Sequence, residues 1–183
     1  MATLAANSTA SSLQGLWNTK SGNGEFTLDF SLSLESKDDS SQYFTAWLGN
    51  GVSQDGMLKI FENKVSWGYK TETVLYEANM TDAFHDFRIV YMNASPEGGI
   101  TAGYYIWLDG QLIGEGLQGE VGQINDRFLL GTFTKADCYA NIKDIAYDNQ
   151  HAYAPSSGSI PEPGVSLLTL AGLGMLVFRR RRA

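Results

Sequence analysis

Glu25-Phe26-Thr27-Leu28-Asp29-Phe30-Ser31-Leu32-Ser33-Leu34 decides the fold class. Phe26, Leu28, Phe30, Leu32 and Leu34 alternate with Thr27, Asp29, Ser31 and Ser33. A period of two predicts a strand with one buried face and one wet face. Polar residues from Glu35 to Gln42 form a loop, and Tyr43 to Leu48 reads as a second strand, closed by Gly49-Asn50-Gly51. Met57 to Phe61 and Lys64 to Tyr69 flank Glu62-Asn63, a two-residue hairpin signal. Thr73 to Glu77 and Phe87 to Met92 add strands, and Tyr104 to Leu108 meets Leu112-Ile113 across Asp109-Gly110. Phe128 to Phe133 and Ala140 to Tyr147 complete the set. Capped helical periodicity is sustained nowhere. About ten short strands separated by turn residues predict an all-β, antiparallel sandwich of two stacked sheets.

Composition agrees. Trp17, Trp47, Trp67 and Trp107 sit among nine Tyr and nine Phe, and only 18% of the 183 residues are charged. That is the composition of one ordered domain with a real core. The net charge of −7 hides an asymmetry. Without Arg179 to Arg182 and Glu162, 9 basic and 19 acidic residues remain, a balance of −10. So acidic a domain is a poor partner for nucleic acid or anionic lipid and suits an extracellular protein. Cys138 is the sole cysteine, which rules out an internal disulfide framework and reads as a small buried apolar residue.

Several segments resemble the concanavalin A-like, laminin-G-type jelly roll. Phe84-His85-Asp86-Phe87-Arg88-Ile89-Val90 looks like that family's His-x-aromatic-Arg-aliphatic strand. Tyr105-Ile106-Trp107-Leu108-Asp109-Gly110-Gln111-Leu112-Ile113 resembles its strand with an Asp-Gly hairpin. Phe128-Leu129-Leu130-Gly131, followed by Ile145-Ala146-Tyr147-Asp148, resembles its closing strands. The resemblance implies a jelly-roll domain over residues 25–155. It also implies an N-terminal strand beside the last one, for which residues 1–24 offer a weak candidate around Leu13 to Trp17.

The chain then changes character. Ala154 to Ile160 is a linker of Pro, Ser and Gly, of which 156–160 separates the domain from the tail. In residues 161–183, Pro161-Glu162-Pro163 cannot be helical, Val165 to Phe178 carries no charge, and Arg179 to Arg182 follow. As a helix the apolar stretch would be about 21 Å long, short of the roughly 30 Å hydrocarbon core. It suffices for transient holding, with arginines at the cytoplasmic headgroups. Motif, apolar stretch and basic end resemble the PEP-CTERM sorting signal of Gram-negative bacteria. The resemblance implies a membrane-embedded exosortase as partner, and an exported protein anchored at, or released from, the cell surface. It also implies a secretory signal peptide. Met1 to Asn7 shows neither basic n-region nor apolar run, so the expectation is that such a segment lies upstream.

Catalytic chemistry is sought with little return. Glycoside hydrolases of this fold place two carboxylates on one strand face, about 5 Å apart for retention and further for inversion. The chain has no Glu-x-Asp-x-x-Glu run, and Glu115 and Glu120 stand in loop-like spacing around Gly116 and Gly119. His85 and His151, the two histidines, lack a nucleophile elbow and read as structural or solvated. Asp126, Asp137, Asn141 and Asp144 are candidate calcium donors, with solvated surface acids as the default. No other cofactor is expected. Trp67, Tyr69 and Trp47 are candidates for a sugar-stacking platform, with Trp67 expected exposed at a strand end beside Gly68 and Trp107 expected buried. The expectation is a non-catalytic surface protein binding carbohydrate or another surface component. The alternative is a polysaccharide-active glycoside hydrolase of the same fold.

Overall fold

β3 (Phe26–Leu34) sets the layering. Phe26, Leu28, Phe30, Leu32 and Leu34 all enter the interior and are buried. The computed structural model describes residues 2–6, 12–16, 24–35, 43–49, 55–96, 98–120, 127–131, 138–148 and 151–153. Among these, every element is a strand. No helix in them is long and apolar enough to cross a membrane.

The strands form two antiparallel sheets of six. One runs β1 (Ala2–Ala6), β12 (Cys138–Asp148), β3, β8 (His85–Met92), β9 (Gly103–Leu108) and β10 (Gln111–Leu117). The other runs β2 (Ser12–Leu16), β11 (Arg127–Gly131), β4 (Tyr43–Leu48), β5 (Gly56–Phe61), β6 (Lys64–Trp67) and β7 (Thr73–Glu77). The chain crosses between sheets around two meanders, β4 to β7 and β8 to β10, giving a jelly-roll sandwich. The Asp109-Gly110 turn is a two-residue hairpin with both residues at positive φ, 50° and 80°, as a type I′ turn requires.

The core lies between the sheets. Phe30 stacks on Phe87 with ring centroids 5.1 Å apart. Tyr104 crosses the layers: its hydroxyl donates to the Leu48 carbonyl at 3.1 Å and accepts the Gly56 N–H at 3.2 Å. A tyrosine at the centre of an apolar core is tolerated because its one polar atom is satisfied from both sides.

Three expectations need correction. The outward face of β3 is only partly wet: Asp29 and Ser33 are half-buried, and Thr27 is 4% and Ser31 5% exposed. The segment after β12 folds back over it. The Thr27 hydroxyl donates to the His151 carbonyl at 3.0 Å and accepts the Tyr153 N–H at 2.9 Å. Ala152 packs on a second apolar cluster, Val90, Met92, Tyr105 and Trp107. Trp107 is therefore buried, on the face away from the main core. Second, the strand beside the last one is β1, pairing Ala2 with Ile142 through Ala6 with Cys138. The weak candidate near Leu13 is β2, which pairs with β11 in the other sheet. Third, both strands place the start of the sandwich before residue 25.

The chain divides into two units, Met1–Tyr153 and Ala154–Ala183. The sorting motif Pro161, Glu162 and Pro163, the apolar stretch and Arg179, Arg180, Arg181 and Arg182 lie outside the described residues.

Candidate functional site

Tyr43, Thr45 and Trp47 alternate along β4 with the core residues Phe44, Ala46 and Leu48, so they point away from the interior. Register extends this outer face. Tyr43 pairs with Phe61, Thr45 with Lys59 and Trp47 with Met57, and Lys59 pairs onward with Ser66 of β6. Aromatic and polar side chains thus share one face.

After β6 the chain turns at Gly68, whose φ is 115°. A Cβ there would run into the Thr71 carbonyl oxygen, so the turn is reserved for glycine. It carries Tyr69 back onto β4, where its ring stacks on Trp47 with centroids 5.9 Å apart and planes 25° from parallel. Glu120 clamps the turn. Its Oε2 accepts the N–H groups of Tyr69 at 2.9 Å and Lys70 at 2.7 Å. The Lys70 N–H, first, holds the Glu120 carboxyl below the usual carboxylate range, with Tyr69 and Thr71 N–H groups adding against slight desolvation. Tyr69 remains 45% exposed, braced on one face and open on the other.

Beside this ring lies a polar cluster. Lys59 is only 8% exposed. Its ammonium donates to the Tyr69 carbonyl at 3.4 Å, lies 3.7 Å from Glu72 Oε2, and is 5.3 Å from the centre of the Tyr43 ring. Glu72 Oε1 accepts from Lys64 Nζ at 2.8 Å and from the Ser66 hydroxyl at 3.2 Å. Burial pushes the Glu72 carboxyl up, but the bonds and charge of Lys64, the Ser66 hydroxyl and the Lys59 charge outweigh it and hold the group low. Burial, then the Glu72 charge, pushes the Tyr43 hydroxyl up. Thr45 is fully buried, and its hydroxyl has no hydrogen-bond partner among the described residues. The arrangement offers a flat apolar ring edged by donors and acceptors at fixed positions, which is what a polyol with an apolar face requires.

The structure brings two predicted platform residues together, Trp47 and Tyr69. It removes the third. Trp67 is 5% exposed and lies in the core. Its indole tilts against Tyr104 at 5.0 Å and its Nε1 donates to the Gln118 carbonyl at 2.9 Å. The reason is parity: Val65 and Trp67 face in while Lys64 and Ser66 face out, a pattern visible in Lys64-Val65-Ser66-Trp67 itself. Of the calcium candidates, Asp126 and Asp137 lie outside the described residues. The Asn141 amide reaches Glu35 at 3.5 Å. Asp144 sits at positive φ where β12 slips register against β3, beside Lys143 at 3.8 Å. Among the described residues no three His, Cys, Asp or Glu side chains are grouped to hold a metal. Sequence reasoning missed Lys59, Ser66 and Glu72. One signal was available: a lysine set in the apolar run Met57-Leu58-Lys59-Ile60-Phe61.

No family model matches the sequence, and no curated protein matches it. Solved structures do share the architecture. The chain is similar to the botulinum neurotoxin serotype D binding domain, at TM-score 0.54 and 11% identity, over 83% of this chain and 40% of that one. It is similar to alginate lyase vAL-1 from Chlorella virus, at TM-score 0.50 and 8% identity, over 82% and 84%. Trypanosoma rangeli sialidase is similar at TM-score 0.50 and 13% identity, over 71% of this chain and 21% of that one. The chain thus spans well under half the length of the toxin domain and of the sialidase. At such identities the likeness is one of fold, an antiparallel jelly-roll sandwich.

Proposed function

We propose that this chain is an exported, surface-directed carbohydrate-binding module without catalytic activity, whose ligand seat is the outer face of β4 to β6 under Tyr69. The Trp47–Tyr69 stack carries the reading. A ring braced from behind and open in front matches the flat C–H face of a pyranose, and the part-exposed Lys64 ammonium and Glu72 carboxylate stand beside it to meet sugar hydroxyls, held in place by the buried Lys59 and Ser66. The carboxylates favour binding over hydrolysis. A glycoside hydrolase needs one carboxyl raised far enough to hold a proton near neutral pH. Glu72 and Glu120 are both held low by the bonds they accept. Sandwiches of this shape occur in a toxin binding domain, an alginate lyase and a sialidase, so the fold accommodates both binding and sugar chemistry. The tail supplies the address: Pro161-Glu162-Pro163, the apolar stretch and the arginines make an exosortase the processing partner and the inner membrane a transient anchor.

The test is a glycan screen with the intact protein, followed by titration of Tyr69→Ala. Loss of the platform should weaken binding by about 1–3 kcal/mol, the scale of one aromatic stacking platform in nucleic-acid binders. Tyr147→Ala, which removes an equally exposed ring elsewhere, should leave binding unchanged. Release of reducing ends from a polysaccharide, or binding indifferent to Tyr69→Ala, overturns the proposal.

A further inference from the structure

Segment 78–82 closes one end of the sandwich. The Ala78 N–H donates to the Asn63 carbonyl at 3.1 Å and the Met80 N–H to the Glu62 carbonyl at 2.8 Å, both at the β5–β6 turn. From the other sheet, the Leu34 N–H donates to the Met80 carbonyl at 2.9 Å. Met80 itself is fully buried in the core. The segment is a plug tied to both sheets.

His85, at the start of β8, holds that plug. It has the inward parity of Phe87 and Ile89. Its Nε2 lies 2.9 Å from the Asn79 carbonyl and 3.1 Å from Asp82 Oδ1. Its Nδ1 lies 2.7 Å from Asp109 Oδ2, in the β9–β10 turn. Asp109 is fixed in turn, since its Oδ1 accepts the Asp86 N–H and its own N–H donates to the Asp86 carbonyl, each at 2.8 Å. These partners of the ring are two carboxylates and a carbonyl, which accept and never donate. A neutral imidazole has one N–H. Either tautomer would therefore set a ring lone pair against an oxygen lone pair, and only the imidazolium satisfies both sides.

We propose that His85 is a pH-sensitive clamp, which as imidazolium bolts the 78–82 plug to the β9–β10 turn and on losing its proton frees the plug. The surrounding charges act in one direction. Asp82 and Asp109 face the ring from the two flanking turns. The Asp86 carboxylate is turned aside to the Ser31 hydroxyl. Lys143 of β12 sits over the ring of Phe84, the residue before His85, at 4.4 Å. Burial pulls the His85 pKa down, and the bonds from Asp109 and Asp82, the Asp109 charge and the Asn79 carbonyl outweigh it and raise it. The folded value thus lies above the unfolded one. The clamp's contribution is complete below about pH 6.5, the unperturbed value, and is lost as pH rises through the folded pKa. Each unit of difference between closed and open plug changes the opening equilibrium about tenfold.

The experiment uses the intact protein. Its imidazole resonances are titrated by NMR, with His85 assigned through its loss in His85→Gln. Amide-exchange protection of Met80 and Thr81, corrected for the intrinsic rate, is followed over the same range. His85 should titrate above about 6.5. Protection should fall about threefold or more through its midpoint, and stay flat in His85→Gln. Should that variant not fold, Asp82→Asn, at an exposed partner, should lower the His85 midpoint with its protection step moving in parallel. A His85 midpoint at or below the ordinary value, or plug protection constant through that midpoint, overturns the clamp.

Discussion

Phe30 and Ser31 are neighbours on β3 that face opposite ways, and both are buried. Phe30 loses a stacked contact with Phe87 when truncated, so Phe30→Ala should cost about 3–5 kcal/mol. Ser31 donates its hydroxyl to Asp86 Oδ1. Ser31→Ala should therefore cost about 1 kcal/mol, where an exposed serine would cost under about 0.5 kcal/mol. Urea unfolding midpoints measure both, and a neutral Ser31→Ala would mean that the bond to Asp86 does not form in solution. Alternation alone read the inward face of β3 correctly. It could not read the outward one, because what covers Thr27 comes from residues 151–153, more than a hundred positions away. Trp67 makes the converse point. Its parity was legible, but proximity to Gly68 suggested exposure, and core demand for a large ring against Tyr104 decided otherwise.

Turns were the best-read elements and the strand edges the worst. Asp109-Gly110 announced its hairpin because few residues tolerate two successive positive φ angles, and Glu62-Asn63 announced its own as two polar residues between strand-like runs. β1 was not anticipated at 2–6, because Ala2-Thr3-Leu4-Ala5-Ala6 has little strand propensity and is held by its pairing with β12. The site depends on a turn whose importance no linear pattern reveals. Trp47 and Tyr69 meet, as do Lys59 and Glu72, only because antiparallel register lays β4, β5 and β6 side by side. Two glycines at positive φ separate strain from function. Around Gly110 a Cβ would have open space, whereas at Gly68 it would meet the Thr71 carbonyl. Gly110→Ala should cost about 1–2 kcal/mol of stability and leave glycan binding intact. Gly68→Ala should lose stability and also displace Tyr69 from Trp47, weakening binding about as much as Tyr69→Ala does. Unfolding midpoints and glycan titration of both variants decide it, and equal binding by the two would detach the platform from its turn.

At the scale of the whole molecule, the boundary of the folded unit falls at Tyr153, close to where composition changes to Pro, Ser and Gly. Composition could mark the boundary because a linker lacks the apolar residues to join a core. It could not show that residues 151–153 belong to the domain as a cover. Thr27 bonds His151 and Tyr153 on one side, and Ala152 rests on Val90, Met92, Tyr105 and Trp107 on the other. Cleavage at the proposed sorting motif would leave residues 151–153 on the domain, since Pro161 lies beyond them. A chain ending at Tyr153 should thus keep the unfolding midpoint of the full protein. A chain ending at Asp148 keeps all of β12 but uncovers the second apolar cluster and leaves the Thr27 hydroxyl without either partner. It should lose about 1–3 kcal/mol from that hydroxyl, more from the bared aromatics, and bind a hydrophobic dye at neutral pH. Equal midpoints for the two truncations would show that the fold-back over β3 contributes nothing, and that the sandwich ends with its last strand.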